Sequence, residues 1–249
     1  ALRKAEARPA TPPAEGASAP AAAGRGVTPL APVTPGAIAA VHAGILAGLQ
    51  EPVLREMTTL RVTLETALQE RTPRVVAFAS AQGGEGTSTV AAQFAIALAA
   101  DGRARVLFAD GHAARPTLRP ALESAGPLAG LFGDAGDPRT SSRVDLLPVP
   151  AAATAATFYP PAELERALDA MAPRYDWIVI DAPPVLYASE SSSLASLADG
   201  VVIVIAAGRT KKPVLARCVD VLRKAGARVL GSVLNRRQLE IPEFIYRRI

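Results

Sequence analysis

The chain has 249 residues, enough for one α/β domain with tails or for two small domains, and 49% of them are apolar. Aromatics make up only 4%, so the core must be aliphatic, and 27 basic against 23 acidic side chains leave a mild +4 with no dense basic run of the kind that binds nucleic acid. Cys218 is the single cysteine, which excludes an intrachain disulfide, and no Cys/His cluster has zinc-ligand spacing.

Residues 1–35 are rich in Ala and Pro, and Pro9, Pro12, Pro13, Pro20, Pro29, Pro32 and Pro35 interrupt any helix. Such a segment buries too little surface to offset its ordering entropy, so it is predicted to be a disordered arm. No signal peptide is visible, and the apolar stretch 37–49 is shorter than the roughly 20 residues a bilayer span needs. The expectation is a cytoplasmic protein that reaches a membrane through a partner. Residues 36–70 turn helical: Val53, Met57, Leu60, Leu64 and Leu68 share one face, and Pro52 suits a helix start. This segment is expected to pack on the domain that follows.

From residue 71 to 236 strands and helices alternate. Strands are predicted at Val75–Ser80, Val106–Ala109, Asp145–Val149, Trp177–Asp181, Gly200–Ala206 and Arg228–Leu234. In the helix from Pro161, Leu164, Ala167, Leu168 and Met171 share a face; in the helix from Pro213, Leu215, Cys218, Val219 and Leu222 do. Gly102 and Gly226 stand just past helices, where a left-handed cap is usual. The strands are continuous apolar runs, which implies burial on both faces and an α/β fold with a doubly wound, mostly parallel sheet. Residues 237–249 form a tail.

Ligands in such sheets bind at the carboxyl ends of strands, where Ser80, Asp110 and Asp181 fall. The loop after the first strand reads Gly83-Gly84-Glu85-Gly86-Thr87-Ser88-Thr89 and opens a helix. Its glycines let backbone N–H groups turn around a phosphate, aided by the helix dipole. Ser88 stands where a P-loop hydroxyl holds Mg²⁺, and Asp110 and Asp181 add two carboxylates for the metal and its water. The ligand implied is ATP or ADP with Mg²⁺. A tight turn and two capping aspartates are the plainer account of the same residues. One part is missing: Thr87 occupies the position of the P-loop lysine.

The segments Ser80–Thr89, Asp110-Gly-His-Ala-Ala-Arg-Pro116 and Ile180-Asp-Ala-Pro-Pro-Val-Leu186 resemble the three nucleotide motifs of bacterial tyrosine kinases, the P-loop proteins paired with membrane-bound polysaccharide chain-length proteins and related to the MinD and ParA ATPases. The likeness runs from about Pro52 to Asn235, and Leu197-Ala-Asp-Gly200 and Val229–Asn235 favour the polysaccharide branch. It implies a P-loop NTPase fold, a chain-length (co-polymerase) partner, homo-oligomer formation and a role in exopolysaccharide or capsule production. It also implies that Asp110 and Asp181 serve catalysis, that Arg115 touches nucleotide and that Tyr246 is a phosphate acceptor. Several departures weaken catalysis or assembly. Thr87 replaces lysine, His112 replaces the second aspartate of Asp-x-Asp, and Gln82 stands where MinD-type loops carry a second lysine. The ring-forming Glu-x-x-Arg-x-x-Arg motif appears as Arg55-x-x-Thr58-x-x-Arg61, so only Arg61 matches. The tyrosine tail is reduced to Tyr246, which also suits an aromatic anchor beside Phe244. Substitute cations are Arg115 first, then Arg209, Lys211 and Lys212.

Three readings follow. One is a partner protein of polysaccharide export with weak or no catalysis. The second is an active tyrosine autokinase or ATPase with a relocated cation. The third is a MinD- or ParA-like positioning ATPase.

Overall fold

A computed structural model describes Ala43, Ile45 and residues 50–69, 71–111, 131–134, 144–147 and 161–236. The predicted arm 1–35 and tail 237–249 lie outside the described residues, as do His112, Arg115 and Tyr246. In chain order the elements are α1 (Glu51–Ala67), β1 (Arg74–Ser80), α2 (Thr87–Ala99), β2 (Val106–Asp110), β3 (Phe132–Asp134), β4 (Val144–Leu146), α3 (Pro161–Met171), a 3-10 turn (Ala172–Arg174), β5 (Trp177–Asp181), α4 (Ser189–Ser196), β6 (Gly200–Ala206), α5 (Lys212–Lys224) and β7 (Val229–Asn235).

The strands form one sheet in the order β3-β4-β2-β5-β1-β6-β7, and every pairing is parallel. Successive strand residues face opposite ways, so each strand feeds two cores. Val76, Phe78, Val106, Phe108, Trp177, Val179, Val202 and Val204 meet α1 and α2 on one face. Ala77, Ala79, Leu107, Ile178, Ile180, Val201 and Ile203 meet α3, α4 and α5 on the other. This two-sided burial is why the strands read as unbroken apolar runs.

Helix α2 is a special case. Val90, Ala91, Ala92, Phe94, Ala95, Ile96, Leu98 and Ala99 are all buried, so it is covered all round rather than on one face. The outer cover is α1, which turns Met57 and Leu64 inward, with Val53 and Leu60 partly buried beside them and Leu68 buried just past its end, as the helical spacing predicts. Pro52 lies in the first turn of α1. Gly102 and Gly226 carry φ of +68° and +81°, as expected of glycines past helix ends.

The boundaries shift by a residue or so. β2 runs on to Asp110, and β7 covers Val229–Asn235 rather than Arg228–Leu234. β4 is Val144–Leu146 where Asp145–Val149 is predicted, and residues 148 and 149 lie outside the described residues. β3 is unexpected, because Phe-Gly-Asp is too short to show a period. The serine-rich α4 is equally silent in the sequence; Leu194 and Ala195 bury it, and Ser191 donates a hydroxyl hydrogen bond to the Pro183 carbonyl.

Candidate functional site

The carboxyl edge of the sheet has a switch point between β1 and β6. From β1 the chain leaves through α2 on one face toward β2; from β6 it leaves through α5 on the other toward β7. The two exits diverge and leave a crevice at the strand ends, where ligands of such sheets sit. The Gly83–Thr89 loop lies there.

The loop is held by a buried carboxylate. Glu85 is only 4% exposed. Its side chain accepts from the Gln82 N–H at 2.8 Å and from the Thr210 hydroxyl, while Thr210 Oγ1 accepts from the Ala206 N–H at 3.2 Å. Burial of a charge is tolerable only with such partners. The Glu85 carbonyl accepts from Asn235 Nδ2 at 3.0 Å, so the ends of β6 and β7 are both tied to the loop after β1. Gly86 has φ of +91°, and a Cβ there would collide with the Asn235 side chain, so only glycine fits. Neither Thr210 nor Asn235 stands out in sequence as a site residue.

Cys218 faces this carboxylate from α5. Burial first, and then the negative charge of Glu85, push the thiol from 9.0 up to about 11. The folded thiol therefore keeps its proton to higher pH than the unfolded one. Its contribution to stability is full below about 9 and is lost as pH rises toward about 11. Alkylation at pH 8, followed by mass, is expected to leave the folded chain unmodified and to label it fully in denaturant. Rapid labelling of the folded chain would contradict this placement.

The strand-end aspartates come together as the sequence implies. Asp110 and Asp181 are directly paired in the β2–β5 register. They continue the rows of Phe108 and Val179, so both point to the face that α2 covers, the helix whose first turn carries Ser88. Asp181 is fully buried and Asp110 half-buried. The Gly111 N–H donates to the Asp181 carbonyl at 2.8 Å, and a Cβ at Gly111 would approach that oxygen to 2.6 Å. The Val185 N–H donates to the Ser80 carbonyl at 2.8 Å and the Leu186 N–H to the Ala81 carbonyl at 3.3 Å, stitching the Asp-Ala-Pro-Pro segment to the loop. Gln82 Nε2 donates to the hydroxyl of Tyr187, which is 73% exposed at the rim.

These residues fit a nucleotide phosphate chain with Mg²⁺. Gly83 and Gly84 are exposed, Ser88 and Thr89 are half-buried at the mouth of α2, and a Cβ at Gly86 is forbidden. Among the described residues no three acidic, histidine or cysteine groups cluster as a metal site. Mg²⁺ at nucleotide sites is usually held by one or two carboxylates plus phosphate oxygens, and Asp110 and Asp181 would supply the carboxylates here. Thr87 offers no charge: it is the first residue of α2 and 6% exposed. Among the cations considered, Arg209 Nη1 lies 3.9 Å from where a Cβ on Gly84 would project. Lys211 and Lys212 are exposed at the start of α5. Arg236, which sequence reasoning had not placed at the site, puts Nε 4.0 Å from the corresponding Cβ position of Gly86. Far from this edge, Arg61 is engaged within the chain, 2.9 Å from Glu65 and 3.3 Å from Asp101.

No protein-family model matches the chain. It is 31% identical over 199 residues to the tyrosine-protein kinase YwqD of Bacillus subtilis, an overlap of 73% of this chain and 80% of that one. It is also 31% identical over 176 residues to the succinoglycan biosynthesis transport protein ExoP of Rhizobium meliloti, 66% of this chain but only 22% of that longer protein. Among solved structures, the chimerical protein CapA2B2 superposes with a TM-score of 0.62 at 20% identity, covering 78% of this chain and 90% of that one, which shows a shared fold.

Proposed function

Because the chain belongs to the family of bacterial tyrosine-protein kinases, we propose that it supports exopolysaccharide or capsule production as a nucleotide-binding partner protein in which phosphoryl transfer is slow or lost. Residues 71–236 form the nucleotide-binding domain, residues 36–70 the helical segment packed on it, and residues 1–35 and 237–249 the flanking arm and tail. The protein works at the cytoplasmic face of the membrane, held by a membrane-bound chain-length protein. Among the described residues no helix is long and apolar enough to cross a membrane, which is consistent with a partner providing the attachment.

The observation that carries this reading is Thr87. Phosphoryl transfer depends almost wholly on positioning and charge stabilisation, and the first turn of α2 presents a neutral side chain where that charge is needed. We further propose that ring assembly is weakened, and the engagement of Arg61 by Glu65 and Asp101 supports this, since the one matching residue of the ring motif is already paired within the chain. Half-buried pairs at the surface are worth about 1 kcal/mol at most, so the effect is on availability rather than stability.

The decisive experiment incubates the full chain with Mg-ATP beside YwqD. Tyrosine phosphorylation is expected to be at least about 100-fold slower than in YwqD, while the chain co-purifies with its chain-length protein. Autophosphorylation at a rate comparable to YwqD, or failure to bind any chain-length protein, would end the proposal.

A further inference from the structure

Resting on the reading of the glycine loop as a nucleotide site, we infer that Arg209 and Arg236 form a two-arginine clamp that holds the polyphosphate of a nucleoside di- or triphosphate in place of a loop lysine. The two come from different strand ends. Arg209 sits in the turn after β6, where the N–H groups of Arg209 and Thr210 both donate to the Ala206 carbonyl at 3.1 Å. The Thr210 hydroxyl then fixes that turn to Glu85 of the loop. The Arg209 guanidinium is thereby delivered to Gly84.

Arg236 is delivered to the other end of the same loop. It follows β7 and has φ of +57°, left-handed in a residue that is not glycine. Backbone of this kind persists where surroundings enforce it, and functional sites are where it collects. Here the Arg236 N–H donates to Asn235 Oδ1 at 2.8 Å, while the amide of Asn235 donates to the Glu85 carbonyl. The turn aims the Arg236 side chain at Gly86.

Charge supports the assignment. Arg55, Arg61, Arg71 and Arg105 each have a carboxylate partner, whereas among the described residues neither Arg209 nor Arg236 has one. The nearest loop carboxylate, Glu85, is turned to Gln82 and Thr210. Strand order supplies the rest. Asp181 and Asp110 lie on β5 and β2, to one side of β1; the two arginines follow β6 and β7, to the other. A phosphate chain along the loop would have metal-binding carboxylates on one flank and two guanidiniums on the opposite flank. Guanidinium forks suit phosphate oxygens, and two of them offset the charge that Thr87 leaves unbalanced. Because both approach from outside α2, they hold the ligand without standing where a loop lysine stands. Tight binding then coexists with slow transfer.

The test is calorimetry with Mg-ADP and with a non-hydrolysable Mg-ATP analogue on the full chain. Arg209→Ala and Arg236→Ala should each weaken binding roughly tenfold, and the double variant about 100-fold. Arg209→Lys should fall between, because it keeps charge and loses the fork. Arg223→Ala, near the far end of α5, should bind as the parent does. Binding should weaken with added salt, and adenosine, which lacks phosphate, should not discriminate the variants. Melting curves identify any variant that has lost the fold, and Arg209→Lys keeps the comparison decisive in that case. A double variant binding within threefold of the parent overturns the clamp, and so does a parent chain that binds neither nucleotide. The two results are distinct: a parent that binds neither nucleotide overturns the nucleotide-site reading as well, whereas an insensitive double variant overturns the clamp alone and leaves the kinase comparison with YwqD standing.

Discussion

Thr87→Lys is expected to raise phosphoryl transfer from Mg-ATP by about 10³-fold. Two unit charges about 4 Å apart interact by roughly 4 kcal/mol at an effective dielectric near 20. At about 1.4 kcal/mol per decade, that is close to three decades of rate, provided the new charge acts mainly on the transition state. The surroundings suit the substitution. Position 87 begins α2, the glycine loop before it is held by Glu85, and Asp110 and Asp181 already lie in register on the α2 face. Single-turnover ADP formation gives the rate, whether the acceptor is a tyrosine hydroxyl or water. A gain below about tenfold would show that something other than the lysine limits the reaction. In the Thr87→Lys background, Arg209→Ala should cost less binding than it does in the parent, since the lysine then shares the load.

The parts of this site that were legible in the sequence are those set by local pattern. Asp110 and Asp181 stand at the ends of Val106–Asp110 and Trp177–Asp181, long apolar runs whose ends can be counted. The glycine loop is likewise marked by its own residues. What could not be read is contact across the chain. Glu85 meets Thr210 and Asn235 at sequence separations of 125 and 150, and nothing near any of the three announces the pairing. Glu85 is marked in the sequence only as one member of the glycine loop, yet its side chain is buried at the centre of the site. Arg236 is hidden for a related reason: its direction depends on a left-handed backbone turn that composition does not reveal. β3 escapes because a three-residue strand beside β4 is defined by its neighbour rather than by a period.

Phe94→Ala is expected to destabilise the chain by about 3–5 kcal/mol, the usual cost of removing a buried aromatic ring. Phe94 is fully buried on α2. Its ring centroid is 5.3 Å from that of Phe78 on β1 and 5.8 Å from that of Trp177 on β5, the latter nearly edge-on. With aromatics so scarce, this trio concentrates much of the large-side-chain packing behind the loop, and a close-packed core relaxes only partly into the space a lost ring leaves. Phe94→Leu should recover a good part of the loss. Denaturant unfolding at constant slope measures both, and a cost below about 1 kcal/mol for Phe94→Ala would contradict the packing described.

The all-round burial of α2 separates two boundaries that are usually treated as one. Every described residue proposed to meet nucleotide lies between 80 and 236, so a fragment starting at residue 71 would look functionally complete. It would lack α1, and with it Met57, Leu64 and Leu68, leaving the outer side of an almost wholly apolar helix in water. Such a strip is a surface for self-association. Expression trials should therefore find that a fragment retaining α1 stays dispersed while one cut just before β1 precipitates, although both carry the same chemistry.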